Sequence, residues 1–92
     1  MWIESAPIAL DQIVIMTTEK SYLLQAKNEP QWKIWFPKKL VKPSQSDPNL
    51  IKLVLNKTFN YEIFQDQRDE FGSFQNVEKA TCNYEKILQL FN

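Results

Sequence analysis

Ninety-two residues hold one domain and one core, and a chain this short buries only about 60 to 65% of the surface its unfolded form exposes. A single cysteine, Cys82, and the lack of histidine exclude an intrachain disulfide and a zinc site of the usual His/Cys type, which fits a reducing cytosol. Lysine plus arginine balances aspartate plus glutamate at 11 each, so the molecule as a whole has no general attraction to polyanions, although residues 27–57 carry seven lysines against Glu29 and Asp47.

The N-terminus, Met1-Trp2-Ile3-Glu4-Ser5, places acid early and has no basic region before an apolar run, so it does not read as a signal peptide. No stretch approaches the roughly 18 apolar residues of a membrane span, and no membrane partner is expected. The first extended segment runs from Asp11 to Thr18, where β-branched Ile13, Val14 and Ile15 favour a strand buried on both faces. A turn at residues 17–20 leads into a strand from Ser21 to Lys27, and Asn28-Glu29-Pro30 makes the next turn. From Gln31 to Pro37 the alternation is strict, with Trp32, Ile34 and Phe36 on one side and Lys33 and Trp35 on the other.

Pro37 donates no ladder hydrogen bond, so the strand ends there or lies on an edge, and Lys38 to Val41 leads out of it. Residues 43–48 form a polar loop bounded by Pro43 and Pro48, after which Leu50 to Leu55 resumes a strand pattern. Thr58 to Gln65 suits a strand better than a helix, since Thr, Phe and Tyr prefer sheets, though Phe59, Ile63 and Phe64 also fit a helical face. Asp66 to Glu70 reads as a turn or short helical cap, and Gly72 to Lys79 as a weaker last strand. At the C-terminus Thr81 is the expected cap of a helix whose Tyr84, Ile87, Leu88 and Phe91 recur at helical spacing. The expected fold class is α+β, mainly β: a five- or six-stranded antiparallel sheet or small barrel with a C-terminal helix, residues 1–92 forming a single domain.

Nucleophilic catalysis needs a nucleophile beside a base, and one glycine, Gly72, cannot build a phosphate-cradling loop, so the sequence is read as a non-enzyme without cofactor or bound metal. Glu62, Asp66, Asp69 and Glu70 form an acidic group that lacks the spacing of a calcium loop and is read as a solvated turn or a docking face for a basic partner. Lys33, Trp35, Lys38, Lys39, Lys42 and Lys52 form the complementary group. Lysines that neutralise phosphates beside an aromatic that stacks a base would bind single-stranded nucleic acid, whereas the plainer reading has Trp35 filling a barrel face and the lysines keeping an edge soluble. Cys82, expected in the first helical turn, meets a dipole that favours thiolate, against the plainer reading of a buried, idle thiol.

The strings Glu19-Lys20-Ser21-Tyr22-Leu23 and Ile34-Trp35-Phe36-Pro37-Lys38-Lys39 resemble a loose group of small phage and prophage proteins. Their pattern is Glu-Lys-Ala-(aromatic or aliphatic)-Leu, a short turn, then Val-Trp-Ile-Pro-Lys-Ser. The likeness covers residues 13–42 and departs at Ser21, where the pattern has alanine, and at Lys39, where it has serine. It implies a viral or mobile-element origin and a small β-rich fold, and assigns no functional residues. The expectation is therefore a binding protein of the host cytosol that inhibits or adapts a larger host or phage protein, an anti-defence inhibitor in its concrete form. The alternatives are a barrel that binds single-stranded nucleic acid and a structural subunit of an oligomer.

Overall fold

The computed structural model describes the backbone of residues 1–68 and 74–92 and the side chains of residues 1–65 and 78–92. In chain order it holds β1 (Trp2–Glu4), β2 (Ile8–Ala9), a helical turn α1 (Leu10–Ile13), β3 (Val14–Thr17), β4 (Ser21–Gln25) and β5 (Lys33–Pro37). A 3₁₀ turn (Lys38–Leu40), β6 (Val41–Pro43), β7 (Leu50–Asn56), β8 (Tyr61–Arg68), β9 (Phe74–Cys82) and helix α2 (Tyr84–Phe91) follow.

Two antiparallel sheets result. The five-stranded one runs β3-β4-β5-β8-β9, so the expected meander of three short-looped strands is present and is extended by the β8–β9 hairpin. The four-stranded one is centred on β7, with β6 along one edge and β1 and β2 end to end along the other. Ser5 fills the break between those two short strands: its N–H donates to the Leu53 carbonyl (2.9 Å), and its buried Oγ accepts from the Leu53 N–H (2.9 Å).

The inward positions of both sheets and of α2 meet in one cluster. Leu24, Ile34, Phe36 and Ile63 come from the larger sheet, Leu53 and Leu55 from β7, and Ile87, Leu90 and Phe91 from the helix. Burying a side chain of this size stabilises by about 1.5 to 3 kcal/mol, and this shared core is what holds a marginal eight-residue helix in place. The stripe expected on α2 is present in Ile87 and Phe91, with Leu88 and Tyr84 packed half-buried against the core.

Several expectations change. The two sheets stay open and no barrel closes, because β5 meets β8 at the single pair Lys33↔Phe64 and the ladder then stops. The segment Asp11 to Thr18 is not one strand buried on both faces: it is helical to Ile13, and Ile15 and Met16 are exposed at a bulge where the register slips between Val14 and Met16. Asp66 to Arg68 continues β8 instead of turning; residues 69–73 lie outside the described backbone. β9 runs on to Cys82, so the helix cap falls on Asn83, whose side chain accepts from the Lys86 N–H (3.2 Å), not on Thr81. The short strands β1, β2 and β6 were not anticipated.

Candidate functional site: an aromatic cleft with a lysine corner

Where β5 and β8 part, the outer end of the sandwich opens into a cleft of about 340 Å³. Trp2 from β1, Trp35 from β5, Phe59 from the β7–β8 connection and Phe64 from β8 line it, together with Pro37 and Leu40, and buried Ile34, Phe36 and Tyr61 lie behind them. Trp2 is 58% exposed, Trp35 47% and Phe59 58%. Isolated apolar side chains at a surface are ordinary, but several large aromatics around one concave opening make this cleft the candidate site.

Each aromatic is held by local structure. Trp35 alternates outward between inward Ile34 and Phe36, and its cross-strand neighbour Leu23, itself opposite Met16, is only 7% exposed although it lies outside the core cluster. Met16, Leu23 and Trp35 thus form an apolar row across three strands that ends at the cleft. The ring of Phe59 sits against Tyr61 at 5.2 Å between centroids, tilted by 57°. The Tyr61 hydroxyl accepts from the Asn56 N–H (2.8 Å), which fixes that tilt from the far side. Trp2 is pinned by β1 pairing with Asn56 and by the Lys57 N–H donating to the Met1 carbonyl (2.9 Å).

The basic group splits. Lys38 and Lys39, with Lys20 from the preceding turn, line a shallow hollow on the far side of Pro37, which also lines the cleft. The Lys38 ammonium lies 5.2 Å from the Tyr22 ring centroid, a cation–π contact. Lys42 and Lys52 face each other across β6 and β7, and Glu4 lies against both and offsets one of the two charges: Lys42 Nζ is 3.0 Å from Glu4 Oε1 and Lys52 Nζ 3.8 Å from Oε2. The hydrogen bond and charge of Lys42 hold the Glu4 carboxyl below its ordinary value, with a smaller contribution from Lys52. Lys33 sits half-buried at the β8 junction, opposite Phe64. The plainer expectation for Trp35, that it fills a barrel face, is overturned by its exposure, since no barrel closes over it.

In the acidic group Glu62 is exposed, lines the cleft and pairs with Lys79 at 3.7 Å. Asp66 belongs to β8, opposite Val77, with a side chain outside the described ones, and Asp69 and Glu70 lie outside the described residues. Among the described residues no group of three or more His, Cys, Asp or Glu converges. Cys82 ends β9 instead of entering the helix; burial pushes its thiol up, partly offset by Lys86, which favours the plainer reading of an idle thiol over a reactive one.

Trp2, Phe59 and Phe64 were not singled out from the sequence. Phe59 shares the alternation of Tyr61 and Ile63, but it precedes β8 and, unlike those two, stays outside the core. No family model matches the chain, and neither curated proteins nor solved structures give a significant match. No helix among the described residues is long and apolar enough to cross a membrane.

Proposed function

We propose that this is a non-enzymatic binding protein of phage or mobile-element origin, acting in the host cytosol by seating part of a larger host defence protein in the Trp2–Trp35–Phe59 cleft. The observation that carries the reading is the meeting of three exposed aromatics, drawn from distant parts of the chain, around one apolar opening. Tryptophan and tyrosine anchors dominate protein interfaces because they bury large areas at low entropic cost. Binding instead of catalysis is supported by the polar groups of the wall: the Tyr61 hydroxyl is engaged by Asn56 and Glu62 by Lys79. Neutral net charge with local patches suits a specific protein contact over general polyanion binding.

Immobilised wild-type protein should retain a host protein that Trp35→Ala and Phe59→Ala lose, each substitution costing about 2 kcal/mol or more, roughly 30-fold in affinity. Asp11→Ala, exposed and outside the cleft lining, should retain it. Equal capture by all variants would sink the reading.

A second reading, binding of single-stranded nucleic acid, is favoured by the exposed Trp2 and Phe59 beside Trp35, with Lys38 and Lys39 at hand. It ranks below because Glu4 offsets part of the Lys42 and Lys52 charge, and the chain as a whole carries no net positive charge to draw a polyanion. Tryptophan quenching by oligo(dT) that fades steeply from low to physiological salt, and is lost in Trp35→Ala, would put it first.

A further inference from the structure

The backbone of β5 carries information that the side chains do not. The Ala26 N–H donates to the Trp32 carbonyl and the Lys38 N–H to the Lys20 carbonyl, both at 2.9 Å, so even-numbered positions along this stretch hydrogen-bond toward β4. Antiparallel ladders alternate, so Lys33, Trp35 and Pro37 direct their peptide groups to the other edge. Among the described residues only Lys33 finds a partner strand on that edge, at Phe64. The N–H and C=O of Trp35 therefore open toward the cleft, beside the aromatic ring of the same residue.

Building on the protein-binding reading above, we infer that the occupant of the cleft is an extended, acidic segment of the partner. One bulky apolar side chain of that segment sits between Trp35 and Phe59, and its main chain pairs with β5 at Trp35. Strand addition supplies affinity through main-chain hydrogen bonds and specificity through the pocket. Charge complementarity sets the sign of the flanks. Lys20, Lys38 and Lys39 adjoin the mouth across Pro37 and form no ion pair among the described residues, while Glu62 is taken by Lys79. A free strand edge recognises a polypeptide main chain and offers nothing equivalent to a nucleic acid, and three lysines in one corner do not make a track for a phosphate backbone.

Selection of a displayed library of random dodecapeptides on the full-length protein tests this. Enriched peptides should combine one aromatic or large aliphatic residue with neighbouring aspartate or glutamate. Their affinity should fall roughly 30-fold in Trp35→Ala and about tenfold in the combined Lys20→Gln, Lys38→Gln and Lys39→Gln variant, whose substitutions lie outside the core cluster. N-methylation of the peptide amides flanking the apolar residue should weaken binding as well. Enriched peptides without acidic bias, or acidic ones indifferent to the triple variant or to N-methylation, would overturn this inference while sensitivity to Trp35→Ala kept the protein-binding cleft. Failure of any peptide to enrich would overturn both, and quenching by oligo(dT) in the same preparation would put nucleic acid in their place.

Discussion

Ser5 shows how much a single polar residue governs here. Its Oγ accepts from the Leu53 N–H and donates to the Ala6 carbonyl (3.0 Å), and it is 4% exposed, so Ser5→Ala leaves a buried N–H without a partner. Urea unfolding should show a loss of about 1 to 3 kcal/mol. Glu4 gives a pH dependence of definite sign. Its folded-state value lies below the ordinary 4.5, so its contribution is complete at neutral pH and is lost as pH falls through the folded value. The melting temperature of wild type should exceed that of Glu4→Gln at neutral pH, and the gap should close in acid; a gap unchanged in acid would remove Glu4 from the account. Strict alternation sets Trp35 on the face opposite Ile34 and Phe36 but does not say whether that face is covered, and the plainer reading has it filling a barrel face. Lys42 and Lys52 were legible as cations but not as partners of one carboxylate, since Glu4 lies far away in the chain and meets them through the pairing of β1 with β7.

Among the elements, strands with several alternating apolar residues were readable and short ones were not. β4, β5 and β7 carry the pattern within themselves, whereas β1, β2 and β6 are two or three residues each and exist because β7 offers two edges to pair with. The helix was readable from its apolar stripe, but its start was displaced by tertiary pairing: Tyr61↔Cys82 and Glu62↔Thr81 keep Thr81 and Cys82 extended and hand the cap to Asn83. Asn83→Ala should therefore cost about 1 kcal/mol in chemical denaturation, and Thr81→Ala much less through capping. The reverse order would place the helix start where the sequence alone suggested. At the other end of α2, Asn28 donates from Nδ2 to the Gln89 carbonyl (2.6 Å), and nearer its start Lys86 pairs with Glu29 at 2.8 Å, so the turn after β4 clamps the helix to the larger sheet.

On the scale of the whole molecule, the chain crosses between sheets after β2, after β5 and again after β7, and the cleft lies where the last two crossings leave β5 and β8 apart. Trp2, Trp35 and Phe59 are distant in sequence, so no local pattern foretells their meeting, and only the pairing of β1 with the end of β7 brings Trp2 there. The two-sheet architecture was thus partly legible, as a mainly β chain with a C-terminal helix, while the site depends on the crossings. The claim that this cleft is a protein-binding surface is tested most directly by photocrosslinking in host cells, with benzoylphenylalanine replacing Phe59 or Trp2 and, as controls, the exposed Asp11 or Gln45. The account predicts protein adducts from positions 59 and 2 and none from the controls; adducts removed by nuclease, or formed equally from all four positions, would contradict it.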